Sequence, residues 1–253
     1  MNKTNKIYIS EIFGSTIQGE GARAGRLSLF IRVGLCNFSC AGFGVEYKIN
    51  DTTNQNIKFG CDSYYSVDKT FKKEWQKLSS NQILKQLYKL NNSKNIDIVI
   101  TGGEPLIYWQ NKEFQRLLKK LNKNNHFITI ETNGSIPIKI NKKYQKNIMF
   151  SIGLKLSNSG ENKSARLNYD ALNILLQNKN SYIKIVTDGN KSDIKEILEI
   201  KSNIKSPIYL MPLCSTKEEL EKVSKKVVKQ AIKYNLNYSD RLHIRLWGDK
   251  RGV

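Results

Sequence analysis

Six short runs rich in β-branched and aromatic residues recur along this chain, separated by segments with helical periodicity. That alternation restricts the fold more than any other feature. The runs cover 28–34, 96–102, 127–134, 148–154, 182–189 and 207–213, and several end at glycine, as buried parallel strands tend to. Between them, Ile83, Leu84, Leu87 and Leu90 share one helical face, as do Phe114, Leu117, Leu118 and Leu121. Ser79 with Gln82 and Thr216 with Glu219 have capping-box spacing and mark two helix starts. The second start predicts a last helix from Lys217 to about Tyr234, with Val223, Val227 and Ile232 turned inward. A strand-like piece at 241–247 follows, within a C-terminal strand and tail at 236–253. Crossovers of this length join parallel strands right-handedly, and six units are too few to close an eight-stranded barrel. The expected class is therefore α/β: a partial, open parallel β/α barrel of about six strands, with its chemistry at the C-terminal strand ends. No linker, repeat or low-complexity block divides residues 1–253, which predicts a single domain.

Composition removes several function classes. The longest apolar runs, such as Ile96 to Ile100, are far too short to span a bilayer. Met1-Asn2-Lys3-Thr4-Asn5-Lys6 lacks the apolar core of a secretory signal, so a cytoplasmic protein with no membrane partner is expected. The 42 basic and 22 acidic residues leave a net charge of +20, which raises the question of nucleic acid. Only eight of those basic residues are arginine, the side chain on which phosphate and base recognition rely most. In a chain also heavy in Asn and Ile, the lysines read as solvated faces, and direct nucleic-acid binding is not expected.

The strand–helix rhythm breaks once, at 41–59. There Val45–Ile49 and the stretch 57–59 flank a polar segment, the pattern of a small inserted hairpin. This insert lies inside a cysteine cluster, Cys36, Cys40 and Cys61. Clustered cysteines in a reducing compartment point to metal before disulfides. Three thiolates are one short of a closed zinc site, which His126 or His243 could complete. On a four-iron cluster they would instead leave one iron open, an arrangement suited to catalysis. Cys214, between a strand and a capped helix, reads as a buried small hydrophobe.

Cys36 directly follows the first strand, the second ends in Thr101-Gly102-Gly103-Glu104-Pro105, and the third in Glu131-Thr132-Asn133-Gly134. This ensemble resembles the radical S-adenosylmethionine enzymes. A narrower resemblance rests on Glu11-Ile12-Phe13-Gly14-Ser15-Thr16-Ile17-Gln18-Gly19-Glu20-Gly21, on Phe30-Ile31-Arg32 and on Cys36-Asn37-Phe38-Ser39-Cys40. Together these blocks look like the 7-carboxy-7-deazaguanine synthase family of queuosine and 7-deazapurine biosynthesis, and the likeness runs from Glu11 to about Leu213. It implies a radical S-adenosylmethionine lyase that contracts the ring of 6-carboxy-5,6,7,8-tetrahydropterin and releases ammonia. It further implies a 4Fe-4S cluster, S-adenosyl-L-methionine and Mg²⁺ as cofactors, an electron donor such as flavodoxin or ferredoxin, and a homodimer. Two departures stand out: a twenty-residue insert before the third cysteine, and Ser63 in place of the usual threonine.

Carried over block by block, the resemblance implies Cys36, Cys40 and Cys61 as cluster ligands and Ser63 as the Mg²⁺ oxygen, serine keeping the hydroxyl. For S-adenosylmethionine it implies Gly60, Cys61, Asp62, Gly103, Glu104 or its backbone, Lys155 with either Ser151 or Gly153, and Met211 and Pro212. For the pterin it implies Ile17, Gln18, Gly19, Glu20, Thr101, His243 and Arg245. A glutamine amide suits a pterin edge because it both donates and accepts. Arg32 lies within an apolar strand, where a charge needs a partner: a substrate carboxylate or a structural one. Another radical enzyme, such as a glycyl-radical activase, shares part of this pattern. A zinc-stabilised basic RNA-binding module is the reading from a different class.

Overall fold

The computed structural model describes residues 6–51, 54–91, 93, 95–248 and 250–253. Eleven strands occur among them: β1 (Ile7–Ile17), β2 (Leu27–Val33), β3 (Val45–Asp51), β4 (Asn54–Gly60), β5 (Gln76–Leu78), β6 (Asp97–Gly102), β7 (Ile128–Thr132), β8 (Met149–Leu154), β9 (Tyr182–Thr187), β10 (Ile208–Pro212) and β11 (Asn237–Tyr238). The helices are α1 (Tyr64–Val67), α2 (Ser80–Leu90), α3 (Lys112–Lys123), α4 (Lys163–Arg166), α5 (Tyr169–Leu176), α6 (Lys191–Asn203), α7 (Lys217–Lys233) and α8 (Leu242–Trp247). Nine strands form one mostly parallel sheet in the order β11-β10-β9-β8-β7-β6-β2-β1-β5, open at both edges, while β3 and β4 pair as the inserted hairpin.

All six expected strands are present, as β2 and β6 to β10, but the expected count of about six is corrected to nine. The additions are antiparallel β1 and β5 on one edge and two-residue β11 on the other. These strands are amphipathic, very short or followed by turns, so apolar runs do not reveal them. The strand-like piece at 241–247 is also corrected. Its residues form α8, whose only buried residue is Ile244. Both capping boxes form, at Ser79 with Gln82 and at Thr216 with Glu219. On α7, Val227 is buried and Val223 packs against the core, but Ile232 is 75% exposed and Ala231 takes the inward position. Leu90, at the last turn of α2, likewise opens to solvent.

Alternation within the strands divides the sheet into two chemically distinct faces. Ile31, Ile100, Ile130, Ile152 and Ile183 point to one side and pack with Ile83, Leu87, Phe114, Leu117, Leu172 and Ile197 from the helices. Burial of this set supplies the main driving force for the fold. On the other side the register aligns Glu11 with Arg32, Arg32 with Thr101, Glu131 with Ser151, and Ser151 with Tyr182. A polar row therefore crosses adjacent strands of an otherwise apolar sheet.

That row is enclosed because the sheet curls. Laid flat, β1 and β11 would stand seven strand spacings apart, roughly 34 Å. Yet the Leu242 amide, just after β11, donates to the Gly19 carbonyl, just after β1, at 2.9 Å. The few residues between those strand ends and this bond reach at most about 21 Å. Only a curved sheet brings both edges within that reach. The Gly21 amide bonds Ser239 Oγ at 2.7 Å and fastens the same closure.

Candidate active site

Cys36 and Cys40 lie in the loop after β2, and Cys61 lies in the loop after β4. The chain leaves β2 through Leu35 in a left-handed conformation, and Cys40 adopts the same region, uncommon for non-glycine residues and typical of functional loops. Glu161 braces this loop by accepting the Ser39 and Cys40 amides, both at 2.8 Å. Asn37 ties it to the end of β7, donating to Ser135 and accepting from Asn133, each at 2.9 Å. The glycines after β6 serve close backbone approach. Gly103 donates to the Val33 carbonyl and Glu104 to that of Leu35, and a Cβ on Gly103 would collide with the Leu35 carbonyl oxygen.

All four cysteines are free. Burial pushes the Cys36 and Cys61 thiols up to about 12; Glu104 adds to the rise at Cys36, and Asp62 adds to it at Cys61. Cys40 adds to the rise at both. Lys155, following β8, works in the opposite direction on Cys40 and Cys61 and so stands beside the cluster loop. A cationic cluster would remove the penalty on three gathered thiolates, so this donor set fits a 4Fe-4S group. Neither histidine completes a zinc set: His126 is held by the Ile96 carbonyl and Tyr88 hydroxyl, and His243 packs on Gly19. Among the described residues no three Cys, His, Asp or Glu side chains form a cage for a single ion. Cys214 is buried with Leu220 and Ile244.

Glu104 is fully buried, and its carboxylate accepts from Leu106 N at 2.9 Å, Thr132 Oγ1 at 2.7 Å and Asn133 N at 2.7 Å. Burial raises its pKa, and those donors offset only part of the rise. The side chain thus locks the end of β6 to that of β7. Gly60 is buried at the end of β4, and Met211 and Pro212 are buried at the end of β10. Ser151 lies mid-strand in the polar row, whereas Gly153 is closer to Lys155 and Lys184.

The polar row meets the turn after β1. Thr101 Oγ1 donates to Glu131 Oε2 at 2.8 Å, and Gln18 Nε2 approaches Glu131 Oε1 at 3.4 Å. Lys184, 7% exposed on β9, bridges Glu131 at 3.0 Å and Glu20 at 2.8 Å. Burial alone would raise the pKa of Glu20, but Lys184 and Arg241 outweigh it and hold the carboxyl well below its ordinary range. Arg241 also reaches Asp62 at 2.9 Å, and His243 stands 3.8 Å from Glu20. Thus Gln18, Gly19, Glu20, Thr101 and His243 converge, with Ile17 leading into the turn. Arg245 does not join them: it is partly exposed and paired with Asp240 at 2.7 Å.

Arg32 has partners within the protein. Its Nε meets Glu11 Oε1 at 2.6 Å and its Nη1 donates to Ser63 Oγ at 3.1 Å. Sequence reasoning missed Glu11, Glu131, Lys184 and Arg241. The signal that singled out Arg32, a charge inside an apolar strand, is equally present at Lys184 between Ile183 and Ile185. Arg241 is hidden because the turn that makes it inward-facing is not written in any periodicity.

Comparison with known proteins agrees with this geometry. The family model described as a 4Fe-4S single cluster domain matches residues 17–176. The 7-carboxy-7-deazaguanine synthase of Leptospira interrogans is 30% identical over 98% of this chain and 98% of its own length. That of Haemophilus influenzae is 32% identical over 81% of this chain and 74% of its own. The crystal structure of QueE from Escherichia coli shares the fold, with a TM-score of 0.67, 22% identity and coverage of 96% of this chain and 100% of that one. The thiol triad, the glycine-lined β6 end and these full-length relatives agree, and the chain belongs to the 7-carboxy-7-deazaguanine synthase family of radical S-adenosylmethionine enzymes.

Proposed function

We propose that this protein converts 6-carboxy-5,6,7,8-tetrahydropterin to 7-carboxy-7-deazaguanine with release of ammonia, a step of queuosine and 7-deazapurine biosynthesis. One observation carries the reading: Gln18, Glu20, Thr101, Glu131 and Lys184 meet on the polar face of the sheet that also bears the cluster loop. A pterin presents fused donors and acceptors along one edge, and this group offers an amide, a hydroxyl and carboxylates to match them. The curled sheet serves as a partial barrel that keeps water from the substrate.

Cys36, Cys40 and Cys61 hold the cluster. When bound, it and S-adenosylmethionine would supply the radical chemistry, which belongs to the cofactors. The chain positions and encloses. Lys155, with Ser151 or Gly153, Asp62 and the backbone of Gly60, Gly103 and Glu104 line the S-adenosylmethionine side, and Met211 and Pro212 cover it. Ser63 would offer Mg²⁺ one hard oxygen beside the substrate carboxylate. In that arrangement the Arg32 bond to Ser63 yields and the guanidinium turns to the same carboxylate.

The chain works as one domain, as a homodimer, with reduction by a flavodoxin or ferredoxin. Four free cysteines and an oxygen-sensitive cluster suit the reducing cytoplasm, and no helix among the described residues is long and apolar enough to cross a membrane. Anaerobic reconstitution with iron and sulfide, followed by assay with the carboxytetrahydropterin and S-adenosylmethionine, tests the reading. A brown, cluster-bearing protein that leaves this pterin unchanged refutes it.

A further inference from the structure

Lys184 is the buried cation at which three distant parts of the chain meet. Its strand, β9, is five positions from β1 in the sheet, yet its ammonium contacts Glu20 from the turn after β1 and Glu131 from β7. Each of those carboxylates has further partners. Glu131 accepts from Thr101 and faces Gln18, and Glu20 accepts from Arg241 at 3.3 Å. Gly153, beside Lys184 on β8, contributes no side chain, which leaves the lysine stem room to lie across the strand.

We propose that Lys184 is a positioning residue for the substrate: by bridging Glu20 and Glu131 it holds the 18–20 segment against β6 and β7, with both carboxylates presented as acceptors to the amino edge of the pterin. The inference rests on the functional reading above. Its chemical basis is the need of half-buried carboxylates for a shared counter-charge. Without one they repel each other, and one gains a proton and turns from acceptor into donor. A 2-amino-4-oxopyrimidine ring presents adjacent N–H donors, so the loss would fall on binding. The lysine touches neither the cluster loop nor any group assigned to S-adenosylmethionine cleavage, apart from its neighbour Gly153.

The test uses the reconstituted enzyme and compares wild type, Lys184→Met and Lys184→Arg by KM for the pterin, kcat and cluster absorbance. Lys184→Met should raise KM at least about tenfold, the scale of losing a charge-assisted contact, while kcat at saturation stays within about threefold. Cluster absorbance should match wild type, and Lys184→Arg, which keeps the charge, should recover most of the affinity. An unchanged KM, or equal impairment in the Met and Arg variants, overturns the proposal. Where Lys184→Met is insoluble, Lys184→Gln decides, since it keeps a polar end and both carboxylates and removes only the charge. Its KM should rise likewise, and a wild-type KM overturns the role. Wild-type enzyme that fails to turn over the pterin would refute the functional reading itself, whereas normal wild-type turnover with an unaffected Lys184 variant refutes only this inference.

Discussion

Arg32 and Glu11 face each other across the β1–β2 pair, Nε to Oε1 at 2.6 Å, so the half-buried arginine of the first parallel strand already has a carboxylate partner. Burial disfavours its charge, but Tyr65 and Glu11 outweigh that and raise its pKa. The pairing changes what its substitution should do. Arg32→Lys should cost about 1–3 kcal/mol of stability through the lost fork geometry, and should raise the pterin KM by roughly tenfold or more. Urea midpoints and substrate titration separate the two effects. A lowered midpoint with an unchanged KM would make the arginine purely structural.

Cys36→Ala, Cys40→Ala and Cys61→Ala should each abolish the visible absorbance of the reconstituted cluster and all turnover, whereas Cys214→Ala should keep both. The first three thiols lie in the loops after β2 and β4, while Cys214 packs with Leu220 and Ile244. An active, coloured Cys61→Ala protein would show that the hairpin insert has displaced the ligand set.

Ser63→Ala should lower turnover and flatten the Mg²⁺ titration without bleaching the cluster, because its hydroxyl is a hard oxygen one residue beyond the Cys61-Asp62 pair. A magnesium dependence identical to wild type would remove Ser63 from the metal role.

Gly103→Ala should disrupt the cluster loop. The added Cβ meets backbone, the Leu35 carbonyl oxygen, which cannot rotate aside. A destabilisation of about 3 kcal/mol and poor cluster incorporation are expected. Normal iron content and an unchanged urea midpoint would contradict the close approach.

Asp68 anchors the inserted hairpin, accepting from Tyr47 Oη and Lys58 Nζ, both at 2.9 Å. Burial would raise its pKa, but the Thr70 amide, Lys58, the Thr70 hydroxyl and Tyr47 together bring it from 3.8 to about 2. Because the folded value is depressed, the unfolded chain binds the proton first on acidification. The stabilisation is thus complete above the ordinary value of 3.8 and is lost as pH falls toward about 2. Asp68→Asn should lower the urea midpoint at about pH 6, and its deficit should narrow by about pH 3. A deficit that stays constant across that range would sink the assignment.

The sequence by itself determined the parallel strand–helix architecture, because apolar periodicity is a local property and a strand buried on one face must show it. It also determined the cysteine triad, the glycine pair after β6 and the inserted hairpin, since each depends on residue type and short spacing. It even exposed Arg32 as a charge in need of a partner. Only the tertiary structure showed which side chains it meets within the protein, Glu11 and Ser63. It alone decided that 241–247 coils into α8 with Arg241 inward and Arg245 outward, and that Lys184 joins Glu20 to Glu131 across the sheet. Those relations depend on how far the sheet curls and on which edges its turns bring together. Such curvature is set by the summed packing of all strands and helices, so no local window of sequence carries it.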